Sequence, residues 1–480
     1  MSDAYFLGID SGSQSTKVAL IDQSGHVVCS ASQPLQPMLH RKPGWVEHPD
    51  DDLWESLKAA LQALFARFHG SNANIVGIGL CAIRCCRVFL HADGSLAAPV
   101  MSWMDVRAYE PYEDAPDIAY TGSTSGYLTF RLTGEFKDSI ANAFQSQFPV
   151  DMHNWQWADD PEFVGSYRIP RAKLFEVKPP GTILGRVTDT AAKETGLPAG
   201  VPVVATANDK AVEALGSGLL QPNEGLLSLG TYITSMVTGS VYREDSTHFF
   251  TNLSSVPYRY LYESHGIRGG MGHISWFKGM LGPEIAAEAE KNGQSVEQLL
   301  EKEARQTPAG AEGLLIVPDW LAPATQLYRK GVMLGFDQRH TRGHIHRAFM
   351  EAIAMRMENA FTAMCNDLQR RPERLIVCGG GAKSDLFLGI VADVFGLPAV
   401  RTTVTGAAGV GAAISAAVAT GYYADYESAV AHMVHEETVF VPDAKRQALY
   451  TRINKNAYQH LTAMLQETLR TVHTAYGFAE

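Results

Sequence analysis

The sequence predicts an α/β fold divided into two domains, and three features favour this prediction. At 480 residues the chain is too long for a single hydrophobic core, so we expect two domains of about 200–250 residues each. Apolar runs such as residues 203–205 are typical of buried strands, and helical patterns or glycine-rich turns follow them. Residues 243–257 are polar and turn-rich, which makes them a candidate hinge. These features predict an N-terminal domain of residues 1–242 and a C-terminal domain of residues 243–480.

The composition is that of an ordinary globular protein, with 46% hydrophobic and 19% charged residues. The net charge of −11 argues against nucleic acid or an anionic membrane surface as a partner, but it is compatible with ATP. The six cysteines include the adjacent pair Cys85 and Cys86, which favours a reducing compartment over a disulfide framework. The first residues lack a leader pattern, and no apolar run reaches about eighteen residues, so we expect a cytoplasmic protein.

Two predicted strands joined by a polar turn open the chain. The first strand ends on Asp10, and the second runs over residues 17–21. The turn suits a magnesium-bound polyphosphate, because backbone amides and Lys17 can face the phosphate oxygens while Asp10 orients the waters of the metal ion. A plain β-turn is the alternative interpretation. The predicted phosphate and magnesium residues of this turn are Asp10, Gly12, Ser13, Gln14 and Lys17.

Two later segments repeat the combination of an apolar strand and a glycine-rich turn. Residues 225–229 lead to Gly230 and Thr231, which predicts a second phosphate turn. Residues 374–378 lead to three consecutive glycines, whose bare backbone can lie against a nucleotide base or ribose, and the small residues 406–413 open a helix that can pack beside them. Neither a P-loop nor a Rossmann fingerprint is present. The predicted adenosine-binding residues are Gly379, Gly380, Gly381, Ala382 and Ser384.

Asp209 stands between a predicted strand and a predicted helix. The strand covers residues 203–205, and the apolar positions after Asp209 predict one face of a helix that ends at Gly216 or Gly218. In α/β folds this position presents reactive groups to a crevice, which favours Asp209 as a general base. The alternative is a helix N-cap, where aspartate is common.

Two clusters of potential metal ligands also have structural interpretations. The first comprises Cys81, Cys85 and Cys86, and its spacing is not a zinc pattern, so buried reduced thiols are favoured. The second comprises His340, His344 and His346, which stand at the start of a helix predicted over residues 341–368 and are favoured as helix-initiating surface residues. Arg84 remains a candidate functional residue because it lies just past the end of the strand predicted over residues 75–80.

In their order along the chain, these motifs resemble the FGGY family of carbohydrate kinases, a branch of the superfamily of actin, sugar kinases and heat-shock ATPases. The turn of residues 10–17 resembles the first phosphate loop of the family, and residues 229–231 resemble the second. Residues 208–209 resemble the segment that holds the catalytic aspartate, and residues 379–384 resemble the adenosine motif. The resemblance covers essentially the whole chain. It implies two actin-like (ribonuclease H-like) domains with a nucleotide and substrate cleft between them.

The resemblance implies ATP-dependent phosphoryl transfer to a hydroxyl group of a small sugar or polyol, with Mg²⁺ bound through water to Asp10. Asp209 would accept the proton of the attacking hydroxyl, and the turns at Ser13 and Thr231 would stabilise charge on the transferring group. Closure of the two domains would exclude water. The implied substrate-binding residues are Arg84, Cys85, Asp105, Asn142 and Asp209.

The departures from the family pattern surround the sugar pocket. Xylulose-type members carry Gln-Met-His, and glycerol-type members carry Gln-Arg-Glu, where this chain has Ile83-Arg84-Cys85. Asn142 stands where an aspartate is usual, and the segment between Arg107 and Gly122 is short. We therefore expect a ketopentose-type sugar other than D-xylulose, with a glycerol- or erythritol-like polyol as the alternative.

Two rival functions stay open at this point. One is a nucleotide-binding sensor of the same fold that has lost catalysis, and the other is an exopolyphosphate-type hydrolase. ATP turnover that requires an added polyol distinguishes all three functions. The expected partners are small molecules, without nucleic acid or membrane, and the sequence leaves a homodimer open.

Overall fold

Two β-sheets organise the protein, and the chain builds most of the first before it begins the second. The computed structural model describes residues 4–322, 326–404 and 406–477. In chain order the elements of the N-terminal part are β1 (Tyr5–Ser11), β2 (Ser15–Asp22), β3 (Val27–Pro34), α1 (Asp52–Phe65), β4 (Ile75–Ala82), β5 (Val88–Leu90), β6 (Tyr120–Gly122), α2 (Thr124–Thr133), β7 (Lys137–Ser139), β8 (Val150–Asp151), β9 (Gln156–Trp157), α3 (Pro161–Tyr167), β10 (Glu176–Lys178), β11 (Ile183–Arg186), α4 (Asp189–Thr195), β12 (Pro202–Ala205) and α5 (Asp209–Gly216).

The C-terminal part follows after a short loop. Its elements are β13 (Glu224–Leu229), β14 (Ile233–Gly239), β15 (Phe249–Leu253), β16 (Tyr260–Ser264), α6 (Gly272–Met280), α7 (Glu284–Lys291), α8 (Val296–Gln306), β17 (Leu315–Val317), β18 (Val332–Leu334), α9 (Arg342–Asp367), β19 (Arg374–Cys378), α10 (Asp385–Phe395), β20 (Ala399–Thr402), α11 (Ala407–Ala419), α12 (Tyr426–Met433), β21 (Glu436–Phe440), α13 (Ala444–Ile453) and α14 (Gln459–Ala475).

The two sheets share one pairing pattern. The first has the order β11-β12-β4-β1-β2-β3, and the second has the order β15-β16-β14-β13-β19-β20-β21. In the first sheet β1 pairs antiparallel with β2 and parallel with β4, and in the second β13 pairs antiparallel with β14 and parallel with β19. Each antiparallel pair thus carries one of the two predicted phosphate turns at its tip. The predicted two-domain α/β architecture is confirmed.

The central strands are buried on both faces. Nearly every residue of β4 and every residue of β13 is buried, as expected where helices cover both sides of a sheet. On the first sheet, α1 presents Leu53, Leu57, Leu61 and Leu64 to the core. The apolar residues of these strands therefore form the interior of each sheet, and polar residues such as Asp10 lie at the strand ends.

Helices α5 and α11 cross at very short range between the two sheets. A Cβ atom on Gly216 of α5 would lie 1.8 Å from the Ala407 carbonyl oxygen, and one on Gly411 of α11 would lie 2.0 Å from the Val212 carbonyl oxygen. Gly8 of β1 likewise approaches α11, so glycines permit the contact on three elements. The helix expected to pack beside the triple glycine therefore packs on β1, β4 and α5 instead.

Two sequence predictions about the middle of the chain differ from the structure. Residues 243–257 contain the strand β15 of the second sheet, so this segment is not only a hinge. Strand β12 belongs to the first sheet and β13 to the second, so the chain changes sheet before residue 242, the predicted domain boundary. We propose that the boundary lies within residues 217–223. The terminal residues 1–3 and 478–480 of the predicted domains lie outside the described residues.

Among the helices that the structure describes, none is both long and apolar enough to cross a membrane.

Candidate active site

Asp209 opens α5 after the loop that follows β12. The cap of this helix is Asn208, whose side-chain oxygen accepts hydrogen bonds from the backbone N–H groups of Lys210 and Ala211, each at 3.2 Å. Asp209 is therefore the first helical residue and does not serve as the cap. Its side chain is 31% exposed, and burial raises its pKa while Arg84 opposes the rise. A partly exposed carboxylate with a raised pKa is suited to accept a proton.

The β1–β2 hairpin holds Asp10 beside Lys17. The two residues are cross-strand partners, and Lys17 Nζ lies 3.8 Å from Asp10 Oδ2. Burial raises the pKa of Asp10 to about 6, Lys17 lowers it, and the charge of Asp209 raises it further. Strands β1 and β12 both pair parallel with β4, so Asp10 near the end of β1 and Asp209 just after β12 lie at the same edge of the first sheet. The turn between the strands consists of the predicted residues Gly12, Ser13 and Gln14.

The second turn lies against the triple glycine. A Cβ atom on Gly379, whose φ is +86°, would lie 2.6 Å from the Leu229 carbonyl oxygen, and one on Gly381 would lie 2.8 Å from Leu229 Cβ. These two glycines permit β19 to approach the end of β13, next to Gly230. At Gly380, in contrast, no described atom lies within 4 Å of a Cβ position. Gly380 is therefore the glycine of the three that has open space beside it.

The other two predicted adenosine residues make internal contacts. The Ala382 side chain is buried, and its carbonyl oxygen accepts a hydrogen bond from Arg401 at 3.4 Å. The Ser384 hydroxyl caps α10 by accepting from the Phe387 backbone N–H at 3.1 Å. Adenosine binding by Ala382 and Ser384 stays a prediction, for which the O–H group of Ser384 is still available as a donor.

Arg84 follows β4 and forms a buried ion pair with Glu263 of β16. Its two terminal nitrogens donate to the two oxygens of Glu263 at 2.8 and 3.0 Å, and its Nε lies 3.8 Å from Asp209 Oδ1. Glu263 is fully buried and also accepts from Asn252 at 3.0 Å. The predicted sugar-binding fork of Arg84 is therefore engaged by the second sheet. A guanidinium group has five N–H groups, so Arg84 keeps N–H donors that this pair does not use.

A cavity of about 290 Å³ adjoins Arg84 and lies between the two halves of the chain. Cys85, Phe144 and Ser146 line it from the N-terminal side, and Asp245 and Asn252 line it from the C-terminal side. Asn252 Oδ1 is buried and has no hydrogen-bond partner among the described residues. A buried acceptor without a partner is unfavourable unless a ligand satisfies it. The lining itself includes both donor and acceptor groups for a small polyhydroxylated molecule, at Arg84, Ser146 and Asp245.

Asp105 and Asn142, the remaining predicted substrate residues, differ in their surroundings. Both oxygens of Asp105 are engaged, one by the Val46 backbone N–H at 2.8 Å and both by Arg107. Asp105 is fully buried and binds the segment around Val46, so direct sugar contact by Asp105 stays a prediction that these contacts do not favour. Asn142 donates to Asp138 at 3.0 Å, and its own Oδ1 is buried without a partner in the described chain. Asn142 therefore retains one free acceptor.

The two clusters of potential metal ligands agree only in part with the interpretations favoured from sequence, because Cys85 is half-buried while Cys81 and Cys86 are buried, and the side chain of His340 is fully buried. All six cysteines are free thiols, and the part of the chain that the structure describes has no group of three or more histidine, cysteine or acidic residues that could hold a metal ion. His344 takes part in a capping box at the start of α9. His346 is buried instead of lying on the surface, and burial lowers its pKa to about 4.

Three residues near this site were not predicted. Glu263 and Asn252 lie on β16 and β15, and Lys210 follows Asp209 directly. Glu263 stands alone in an apolar strand pattern, which is a signal for a paired buried charge, because an unpaired one would be strongly unfavourable. Asn252 carries no such signal, since its position depends on the packing of the two sheets.

Comparison with known proteins gives consistent results. Models of the FGGY family of carbohydrate kinases match residues 5–116 and 112–216 for the N-terminal domain and residues 225–420 for the C-terminal domain. An uncharacterized sugar kinase of Escherichia coli (strain K12), YgcE, is 45% identical over 482 residues, which cover 99% of this chain and 98% of that protein. The xylulose kinase of Lactococcus lactis subsp. lactis (strain IL1403) is 26% identical over 517 residues, which cover 99% of each chain. The crystal structure of xylulose kinase from Rhodospirillum rubrum has a TM-score of 0.80 at 25% identity and covers 97% of this chain and 99% of that one.

Proposed function

Because the chain belongs to the FGGY family of carbohydrate kinases, we propose that it transfers the γ-phosphoryl group of ATP to a hydroxyl group of a small neutral sugar or polyol. The observation that carries this proposal is the position of Asp10 and Asp209 at the same edge of the first sheet, where Asn208 and not Asp209 caps the helix. In this proposal the two turns bind the phosphates of ATP, and Gly380 lies beside the adenosine. The chain is thus a sugar kinase by family, and its individual site residues are proposals.

The proposed reaction assigns each proton and bond to a group. The acceptor hydroxyl loses its proton to Asp209 and forms a new O–P bond with the γ-phosphorus. The bond between that phosphorus and the β,γ-bridging oxygen breaks, and its electron pair stays with ADP. Backbone amides of the two turns, at Ser13 and Thr231, donate hydrogen bonds to the phosphate oxygens. Closure of the cleft excludes water, which would otherwise accept the phosphoryl group.

The residues present fit a magnesium ion that arrives with ATP. Mg²⁺ binds through one or two carboxylates together with phosphate oxygens and waters, and Asp10 supplies one carboxylate at the hairpin tip. The lack of a larger ligand cluster among the described residues agrees with this mode of binding. When bound, the ion neutralises charge on the phosphates. Asp10 would hold it through water.

The cavity next to Arg84 supports a small, uncharged substrate. Its volume of about 290 Å³ is at the low end for ligand pockets, and its one lining guanidinium is already neutralised by Glu263. A ketopentose-type sugar fits the proposal, with a glycerol- or erythritol-like polyol as the second candidate. D-Xylulose is not expected to be the best substrate, because Ile83 and Cys85 cannot make the amide and imidazole hydrogen bonds of xylulose-type members.

A screen for ADP release tests this function. Wild-type protein with MgATP would be assayed against ketopentoses, ketohexoses, tetritols, pentitols and glycerol. We expect release of ADP that depends on one of these acceptors, with a kcat/KM for that acceptor above the value for D-xylulose. D-Xylulose as the best substrate would contradict the substrate proposal, and no activity on the whole panel would favour the sensor function. ATP turnover without any acceptor would favour a hydrolase.

The variant Asp209→Asn tests the assignment of the base. We expect phosphorylation to fall by ~10²–10⁴-fold, because the amide cannot accept the proton, while affinity for ATP stays nearly unchanged. Asp189→Asn is the matched control, since Asp189 is also the first residue of a helix, α4, and is exposed. Near wild-type turnover by Asp209→Asn would contradict the mechanism.

A further inference from the structure

The ammonium group of Lys210 lies between α5 and the second sheet. Its Nζ donates to Glu213 Oε2 at 2.7 Å and to Ser228 Oγ at 3.0 Å. The Ser228 hydroxyl donates to the same carboxylate at 3.0 Å, and the Cys378 thiol donates to its other oxygen at 3.5 Å. An ammonium group has three N–H groups, and these contacts engage two of them. Lys210 therefore keeps one donor that the described chain does not use.

The surrounding elements place this cation among the proposed catalytic groups. Lys210 follows Asp209, Ser228 precedes the turn at Gly230 by two residues, and Cys378 directly precedes the triple glycine. The positive charge of Lys210 also lowers the pKa of Asp10 on the first hairpin. The lysine thus lies near the point where the base, both phosphate turns and the proposed adenosine site meet.

Glu213 holds the lysine in its charged form. The side chains of Lys210 and Glu213 are only 14% and 18% exposed, and they lie one helical turn apart on the same face of α5. Their attraction outweighs burial for both groups, so the pKa of Lys210 is raised and the pKa of Glu213 is lowered. The contact between α5 and the second sheet therefore holds a fixed, partly desolvated cation with one N–H group that these contacts leave unused.

We propose that Lys210 is a catalytic residue whose free N–H group donates to an oxygen of the γ-phosphoryl group during transfer, and that Glu213 is the residue that positions it. This inference rests on the kinase reaction proposed above. Lys210 keeps its proton throughout, while the hydroxyl proton passes to Asp209 and the electron pair of the broken P–O bond stays with ADP. A cation aimed at the charge of the transferring group stabilises the transition state more than bound ATP.

The alternative is that the Lys210–Glu213 pair only ties α5 to the second sheet. Two variants separate these possibilities, because Lys210→Met and Glu213→Gln both break the pair but only the second retains the cation. We expect Lys210→Met to lower kcat by ~10²–10³-fold with ADP affinity nearly unchanged, and Glu213→Gln to lower kcat by only about tenfold. A purely structural pair would give equal losses of kcat in the two variants and would contradict the proposal.

Binding of a transition-state mimic provides a second measurement. Calorimetry would compare the affinity for ADP and magnesium with and without aluminium fluoride, which mimics the transferring phosphoryl group. We expect aluminium fluoride to tighten ADP binding in the wild type and in Glu213→Gln, and to have no such effect in Lys210→Met. Equal tightening in Lys210→Met would overturn the proposal. If Lys210→Met does not fold because Glu213 is left unpaired, the double variant Lys210→Met/Glu213→Gln avoids this buried charge and should show the same loss.

A control variant and the wild type complete the test. Lys58→Met also removes a lysine that pairs with a glutamate three residues away, Glu55, at 2.7 Å on α1, and it should leave kcat and ADP binding unchanged. If no acceptor supports ADP release by the wild type, the proposed kinase reaction fails. If the wild type is active and Lys210→Met retains its rate within about threefold, only the role of Lys210 fails.

Discussion

At the scale of single residues, burial changes the chemistry of Asp10. Its pKa is raised from 3.8 to about 6, chiefly because burial disfavours the charged form. Above pH 6 the carboxylate is charged in both the folded and the unfolded protein, and its charged form is then less favourable in the folded one. A charge retained at this place despite its effect on stability is consistent with a role in binding phosphate and magnesium.

We predict that Asp10→Asn stabilises the ligand-free protein at pH 7.5 by roughly 3 kcal/mol while it abolishes phosphorylation. The sign follows from linkage: the destabilising contribution of Asp10 is complete above its folded pKa of about 6 and absent below its unfolded value of 3.8. The stabilisation should therefore fall to about half at pH 5. Denaturant unfolding of both proteins at pH 7.5 and pH 5 measures it. An equal gain in the free energy of unfolding at the two pH values would show that the stabilisation does not come from loss of the Asp10 charge.

Gly380 differs from its two neighbours in the space around it. A Cβ atom there meets no described atom within 4 Å, whereas at Gly379 it would meet the Leu229 carbonyl oxygen at 2.6 Å. We predict that Gly380→Val weakens binding of a non-hydrolysable ATP analogue by about tenfold or more with little change in the unfolding temperature, because the new side chain would occupy the space of the base or ribose. Calorimetry and thermal unfolding would measure both effects.

The contrasting variant is Gly379→Val, which should destabilise the fold because of the backbone contact and the positive φ of +86°. Unchanged nucleotide affinity in Gly380→Val would place the adenosine site elsewhere.

At the scale of elements, the crossing of α5 and α11 positions Asp209, the proposed base. Asp209 is the first residue of helix α5, and the backbone of α11 contacts the backbone of α5 directly at Gly216 and Gly411. Backbones in direct contact leave little room for adjustment, so a small change in α11 would be transmitted to α5. The position of Asp209 therefore depends on residues about two hundred positions later in the sequence.

We predict that Gly411→Ala lowers the free energy of unfolding by about 3 kcal/mol or more and lowers kcat, because its methyl group would lie 2.0 Å from the Val212 carbonyl oxygen. Gly389→Ala on α10 is the matched control, since it is also a glycine within a helix but has no described atom within 4 Å of a Cβ position. The control should stabilise the protein by about 0.5–1 kcal/mol through helix propensity. Similar effects of the two substitutions on stability would contradict the close crossing.

At the scale of the whole molecule, a buried ion pair joins the two sheets. Arg84 follows β4 of the first sheet, and Glu263 lies on β16 of the second. Asp209 shares the guanidinium at 3.8 Å, so the pair links the proposed base to the second sheet as well. Removal of one buried partner leaves the other charge uncompensated.

We predict that Glu263→Gln destabilises the protein by about 3–5 kcal/mol, and that the double variant Arg84→Gln/Glu263→Gln is more stable than the sum of the single variants implies. Denaturant unfolding measures this cycle. Glu427→Gln is the control, because Glu427 forms a more exposed pair with Arg259 at 2.7 Å, and it should change stability by less than about 1 kcal/mol. Additive effects in the cycle would show that Arg84 and Glu263 do not interact in solution.

The sequence by itself determined the local elements and the reaction class. The strand before Asp209, the hairpin at Asp10, and the triple glycine are local patterns, because strand periodicity and glycine turns depend on residues close in the chain. Their order resembled one family, and the family comparison confirmed it. The long helix α9 was also predicted to within a residue at each end, since its pattern is strong and continuous.

Only the tertiary structure decided which side chains are free to act. Asp105 and Arg84 are polar residues beside predicted strand ends, yet Arg107 engages the first and Glu263 the second. The packing of α11 on the first sheet and the unsatisfied oxygen of Asn252 likewise depend on contacts between distant segments. Such contacts follow from the way two sheets are brought together, and no local pattern encodes the partner of a buried polar group. For this reason the sequence determined where the proposed catalytic groups lie along the chain, and the fold decided which of their polar atoms already have partners.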